Sequence, residues 1–252
     1  MISYHPDSRF LTDFASANLP LSEAVCVSAH LEFCGKCRAH VQQLADIGGH
    51  LLSRLQPETL EQDSFERLMG RIDAQEVPGV KRDTTVDQAT TGAKQSASAV
   101  LSAASHSRTE SPRGGAVVAL PRALHRLTQG GVQNLRWVQL GKALRVAPLH
   151  IDEDVRETAI YDIKAGGKMP EHEHRGEEIT VLLRGSFSDA EGSYSRGDFL
   201  VRNAGEAHQP MATQDMDCLC LVSLERPVRP RSLLYRLLEP FVQHQLHKVA
   251  TR

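Results

Sequence analysis

Residues 30 to 37 read His30-Leu-Glu-Phe-Cys34-Gly-Lys-Cys37, and this spacing limits the folding choices of the chain more than any other stretch. Imidazole nitrogens and thiolate sulfurs are the ligands of closed tetrahedral zinc sites, and a Cys-x2-Cys turn holds two sulfurs about one ion-width apart. If a helix ends near His30 and a turn follows, all three ligands meet at one point. Gly35 gives the backbone of that turn conformations a side chain would forbid. The fourth ligand has to come from elsewhere, and His5 is the choice, with His40, Cys26 and Glu32 as competitors. Cys26 and His40 lie in apolar-periodic helical text and are expected to face a core. A redox dithiol is the other use of Cys34 and Cys37, but the thioredoxin-like version needs a βαβ context and both flanks here read helical.

Asp7 is placed to cap a first helix carrying Phe10, Leu11 and Phe14, ended by Leu19-Pro20, and Ser22 to cap a second running toward His30. After the cysteine turn, Val41, Leu44, Ala45, Gly48, Leu51, Leu52 and Leu55 recur at the three-and-four spacing of a third helix buried along one stripe. Pro57-Glu58 opens a fourth segment with Phe65, Leu68, Met69 and Ile72 on one face, stopped by Pro78-Gly79. So short a bundle has a thin core, and small domains commonly need a staple such as a structural metal. The fourth helix either closes the bundle or offers its apolar face to a partner.

Residues 81 to 116 turn to Ala, Ser, Thr, Gln and Gly with no aromatic side chain. Such text cannot bury enough apolar surface to offset its ordering entropy, so a flexible tether is expected. From about 132 onward short β-branched runs at 135–140, 144–151, 155–163, 178–183, 198–202 and 218–224 alternate with Gly and Asp turns, the pattern of a sandwich or barrel. The expected organisation is therefore multidomain α and β. A zinc-stapled helical domain occupies 1–80, a flexible linker 81–130, a β-barrel 131–226 and a helical tail 227–252. Leu233, Leu234, Leu237, Leu238, Phe241 and Leu246 give the tail an apolar face, and Pro240 is expected to kink it.

The 29 basic and 31 acidic residues leave a net charge of −2, which supplies no basic face for direct nucleic-acid binding. Five cysteines fall as 34/37, 218/220 and Cys26 alone, arguing against a secreted disulfide framework and for a reducing compartment. The opening Met-Ile-Ser-Tyr-His-Pro-Asp lacks a charged stretch followed by an apolar one, and no run of about 18 apolar residues occurs. A cytoplasmic protein with no membrane partner is expected.

A second constellation reads Gly166-(x5)-His172-x-His174-(x3)-Glu178-(x6)-Gly185, followed by Gly197-(x5)-Asn203-x-Gly205-(x2)-His208. Side chains alternate along a strand, so His172 and His174 share a face that Glu178 and His208 can reach from neighbouring strands. Three imidazoles and a carboxylate at one point make a transition-metal site. The double motif resembles the cupin superfamily, matching its first motif at every fixed position. The second departs at Asn203, where proline is usual, and at Ala212, where asparagine is usual. The resemblance implies a small jelly-roll β-barrel. Cys218 and Cys220 lie two apart on the last strand, so both thiols project to one face, near the upper limit for disulfide geometry. They are a possible redox pair or two small core residues.

A His-x3-Cys-x2-Cys unit with an upstream histidine, tethered to a cupin that keeps its ligands, resembles the ChrR type of zinc-binding anti-sigma factor outside the 81–116 stretch. By that resemblance His5, His30, Cys34 and Cys37 hold a structural Zn2+. His172, His174, Glu178 and His208 hold Zn2+ or another divalent transition metal. The resemblance further implies a regulator, not an enzyme, that keeps an ECF (group 4) sigma factor from RNA polymerase and releases it under singlet oxygen or organic hydroperoxide, with the cupin needed for release. The rival is a metal-dependent, dioxygenase-like cupin enzyme fused to a zinc-binding partner domain.

Overall fold

The computed structural model describes residues 2–74, 120–151 and 156–231. The stretch 81–116 read as a tether, the opening of the strand expected from 155, and nearly all of the expected tail helix lie outside these residues. By its contacts the chain divides into two units, Met1–Arg54 with Ala116–Arg252, and Leu55–Gly115.

The larger unit begins with three helices. Helix α1 (Ser8–Ala15) starts where expected, the Asp7 carboxylate accepting from the Phe10 backbone N–H at 3.0 Å. Helix α2 (Leu21–Phe33) starts after Pro20 with no side-chain cap, and Ser22, expected as its cap, is instead buried inside the helix. The fixed φ of proline makes it a good lead-in to a helix, so a hydroxyl is not needed there. Helix α3 (Gly35–Leu52) begins at the cysteine turn and ends short of Leu55. Its expected buried stripe is a correction: Val41 and Leu44 are half-buried, while Ile47, Leu51 and Leu52 are exposed. Eighteen residues rise about 27 Å, further than α1 or α2 can cover, so the last turns outrun the bundle.

In the smaller unit, helix α4 (Ser64–Ala74) has no buried residue, and Phe65, Leu68, Met69 and Ile72 are exposed. In the larger unit, a short helix α5 (Arg122–His125) falls inside the span assigned to the linker, with Leu124 fully buried.

The barrel follows: β1 (Val138–Leu140), β2 (Leu144–Pro148), β3 (Glu157–Ile163), β4 (His172–Glu173), β5 (Glu178–Arg184), β6 (Ser186–Ser188), β7 (Ser193–Ser195), β8 (Phe199–Arg202), β9 (Ala207–His208), β10 (Met211–Ala212), β11 (Cys218–Leu224) and β12 (Arg229–Pro230). One sheet runs β1-β2-β3-β11-β5-β8, and two three-stranded sheets run β10-β6-β7 and β12-β4-β9. The named pairings are antiparallel.

Alternation sorts each central strand between two cores. Along β11, Cys218, Cys220, Val222 and Leu224 face the lumen with Leu182, Phe187, Tyr194 and Ala212. Leu219 and Leu221 face outward, where they join Ile179, Val181 and Leu183 under Phe10, Leu11, Val27, Ala29 and Leu124. The central sheet is thus apolar on both faces, as a strand covered on both sides must be. The helical layer is also held by one buried charge cluster. The Arg156 guanidinium donates to Glu23 Oε1 at 3.2 Å, Glu177 Oε1 at 3.2 Å, Ser223 Oγ at 2.9 Å and the backbone carbonyls of Glu177 and Ser223, both at 3.1 Å.

Phe10, 1% exposed with its ring 5.5 Å from that of Phe199, tests this shared core. Phe10→Ala should lower unfolding free energy by about 3–5 kcal/mol in urea titrations. Phe65→Ala on exposed α4 should change it by less than about 0.5 kcal/mol. Equal effects would refute the assignment of the core.

Candidate metal centres

The first cluster forms where α2 ends and α3 begins. His5, His30, Cys34 and Cys37 each offer a ligand atom, all within 4.8 Å of one another. His5 Nδ1 lies 3.4 Å from both the Cys34 and the Cys37 sulfur. Ordinary zinc–sulfur and zinc–nitrogen bonds give a tetrahedron whose S···N edge is about 3.6 Å, so the donors already stand at ligand spacing. The Cys37 backbone N–H points at Cys34 Sγ, 3.4 Å away, which ties the turn to its own sulfur.

His30 supplies the test of fit. Its Nδ1–H donates to the Gly197 carbonyl at 2.7 Å, leaving Nε2 as the lone-pair nitrogen, and that Nε2 is buried with no hydrogen-bond partner. A buried polar atom without a partner costs about 1–3 kcal/mol, and a cation at this point would remove the cost. Burial also lowers the His30 pKa to about 4, with the Gly197 bond acting the other way, so the ring is held in its neutral, ligating form. Burial pushes the Cys37 thiol up to about 12, and its contact with Cys34 adds to this. A bound cation would draw the Cys37 sulfur to the thiolate form that ligates.

Of the competing fourth ligands, Glu32 accepts from the Arg122 backbone N–H, His40 is exposed, and Cys26 is fully buried in the core, its thiol raised to about 12 by that burial. None of them joins the cluster.

The second cluster sits in the barrel mouth. His172 and His208 face each other across the β4–β9 pair with their Nε2 atoms 3.1 Å apart, and His174 completes a triad with nitrogens within 4.8 Å. Each flanking ring is oriented from behind, as ligating histidines are: His172 Nδ1–H donates to the Pro170 carbonyl at 2.9 Å, and His208 Nδ1–H to Asp189 Oδ2 at 3.0 Å. Neither nitrogen of buried His174 has a hydrogen-bond partner. Burial is the main cause that lowers His174 and His208 to about 4, so both are neutral donors.

Glu178 stands beside the triad rather than in it. Its Oε2 is 3.5 Å from His174 Nδ1, too long for a hydrogen bond, while Oε1 accepts from Thr180 Oγ at 2.8 Å. A cavity of about 30 Å³ opens next to the triad, lined by Tyr161, Glu178, Phe187 and Cys220 among others. Cys218 and Cys220 project into the same lumen with sulfurs 3.6 Å apart. Contact with Cys218, reinforced by burial, raises the Cys220 pKa well above that of a free thiol.

Asp189 had no motif to announce it. It is completely buried at the side chain and accepts from His208, Tyr194 and Arg202; burial pushes its carboxyl up, but the His208, Glu191 backbone and Arg202 bonds hold it below the usual range. Only its place in a Ser-Asp-Ala-Glu-Gly turn was visible in the sequence.

Fold and clusters together define a cupin-type barrel bearing three imidazoles, preceded by helices that carry a His2Cys2 group able to hold a metal. Residues 128–227 match the model of the ChrR cupin-like domain. The chain is 27% identical over 240 residues to the anti-sigma-E factor ChrR of Cereibacter sphaeroides, spanning 95% of this chain and 98% of that protein. It also superimposes on the crystal structure of Rhodobacter sphaeroides SigE in complex with the anti-sigma ChrR, with a TM-score of 0.66 and 23% identity over 89% of this chain and 99% of that one. The likeness to ChrR-type anti-sigma factors thus runs through nearly the whole chain.

Two separate clusters should bind two metal ions per chain. Cys37→Ser is expected to remove one and His172→Ala the other, read by elemental analysis of the purified variants. A wild-type protein that carries fewer than two after reconstitution would contradict the assignment.

Proposed function

We propose that the protein is a cytoplasmic, zinc-dependent anti-sigma factor. It sequesters an ECF (group 4) sigma factor from RNA polymerase and releases it in response to singlet oxygen or organic hydroperoxide. In this reading residues 1–80 are the inhibitory part and the barrel governs release. The observation that carries the proposal is the pairing of the His2Cys2 cluster with bare apolar helix faces: Ile47, Leu51 and Leu52 on α3, and Phe65, Leu68, Met69 and Ile72 on α4, all exposed. On each helix by itself, a run of exposed apolar side chains is what a partner site presents. A relative whose name is that of an anti-sigma factor supports the choice of partner.

Bound zinc would staple the chain start, the end of α2 and the start of α3 at one point. The residues do the rest. His5 brings the N-terminal segment to the cluster, His30 is presented in one tautomer, and the Cys34–Cys37 turn sets the direction in which α3 leaves. That direction decides where the apolar end of α3 stands. In the barrel His172, His174 and His208, with Glu178 beside them, would hold the second divalent metal.

Release is assigned to oxidation within the lumen. Thiols and metal-ligating side chains are both open to oxidation, so the chemistry falls on the histidine site or on Cys218 and Cys220, whose sulfurs are 3.6 Å apart. An enzyme reading is favoured by the imidazole triad, but the cavity beside it, about 30 Å³, is far below the roughly 300 Å³ at which organic-ligand pockets begin.

Co-expression with the candidate sigma factor tests the partner: the pair should co-purify, and Leu68→Glu, at an exposed position, should abolish co-purification without altering the circular dichroism of the free protein. Retained binding by Leu68→Glu and Phe65→Glu together would refute α4 as the contact. The triple variant His172→Ala, His174→Ala, Glu178→Ala should keep its sigma factor under singlet oxygen while wild type lets go. Normal release by that variant would refute the role of the barrel.

A further inference from the structure

The metal cluster of the helices is not built by the helices alone. The turn between β7 and β8, residues 195 to 199, touches one of the four ligands and the segment that carries a second. Gly197 offers its carbonyl to His30 Nδ1–H at 2.7 Å, and Phe199 sets its ring edge-on to His30 at 5.9 Å. Asp198, 2% exposed, accepts the backbone N–H groups of Ser3 at 2.7 Å and Tyr4 at 3.1 Å through Oδ1. The Phe199 N–H in turn donates to the Tyr4 carbonyl at 3.1 Å. These three bonds fasten the segment that delivers His5.

The turn itself is rigidly held. Asp198 Oδ2 accepts from Ser195 N at 2.8 Å, while Gly197 N donates to Leu182 O at 2.8 Å and Leu182 N to Asp198 O at 3.1 Å, which ties the turn to the central strand β5. Gly197 has φ +94, and a Cβ there would lie 2.7 Å from Ile2 Cδ1 and 3.0 Å from Phe33 Cβ. The backbone of the turn therefore sits directly against both the N-terminal segment and the end of α2.

We propose that the Gly197 carbonyl and the Asp198 carboxylate are positioning groups of the His5–His30–Cys34–Cys37 site, so that the barrel sets how tightly the helices keep their ion. The partner on the far nitrogen of a ligating imidazole fixes its tautomer and direction, and losing such a partner typically weakens metal binding about 10–100-fold. Here that partner belongs to the barrel. The two cysteines come from one local turn tied by the Cys37 N–H to Cys34 Sγ, whereas His30 and the segment carrying His5 are both held from residues 197 to 199. This inference rests on the metal reading of the cluster.

The test uses the full-length protein loaded with Co2+. The thiolate-to-cobalt charge-transfer band reports the front site, because the triad in the barrel contributes only imidazoles. Asp198→Ala removes the accepted bonds from inside the barrel, and Ser3→Pro removes one donor from outside it at an exposed position. Both are expected to lose the band into a chelator faster than wild type, Asp198→Ala by about 10–100-fold and Ser3→Pro by less, while cobalt in the barrel is retained. If Asp198→Ala does not fold, Ser3→Pro decides alone. Wild-type release rates in the folded variants would overturn the inference and leave the metal reading standing. Absence of a thiolate band in wild type would overturn both.

Discussion

The larger unit depends on the burial of helix α2 against the outer face of the central sheet. Val27 and Ala29 enter the same core as Ile179, Val181, Leu219 and Leu221, together with Phe10 and Leu11 of α1, and α2 also packs against α3 and α5. Because α2 is covered on two sides, it brings polar groups inside with it, and each has to be matched. Glu23 meets Arg156, which is bonded on every side by the barrel. Removing one partner of such a buried pair leaves an uncompensated charge, typically a loss of about 3–5 kcal/mol. His30 is matched at one nitrogen by Gly197 and left for a cation at the other.

Two-sided burial also explains what could and could not be read from the sequence. The cysteine turn, the Asp7 cap and the strand β11 announce themselves by local chemistry: ligand spacing, a capping carboxylate and a nearly unbroken apolar run. Helix α2 carries little amphipathic contrast, so nothing in it told that a barrel would cover one face. The exposed end of α3 failed for the opposite reason: its leucines keep helical spacing whether a core or a partner receives them. Helix α5 was lost in the linker because four residues hold no period, although Leu124 is among the most buried side chains of the chain.

The histidines were legible because motif spacing marks them, while the groups that orient them were not. Asp198 binds Ser3 across 195 positions, Gly197 binds His30 across 167, and Asp189 binds His208 across 19. No window of local sequence contains such pairs. Gly197 and Asp198 were visible only as the Gly-Asp of a turn, and the tertiary fold gives that turn its second use.

Both clusters are supported from neighbouring stretches of the same strands. Behind the barrel triad, Asp189 takes His208 on one oxygen and the Tyr194 hydroxyl on the other, with Arg202 bridging Asp189 and Tyr194. Tyr194 then meets the ring of Tyr4 at 4.9 Å, one residue from His5. A row of direct contacts so joins the imidazole of one site to the segment that carries a ligand of the other, and β7 runs on into the turn that aims His30. Any coupling carried along this row has to be reciprocal: a change at the triad that alters the grip on the front ion implies that loss of the front ion alters the triad by the same free energy. A barrel that senses and helices that act, as proposed above, would need no lever arm across the molecule, because His30 and the segment carrying His5 are already held by residues 197 to 199.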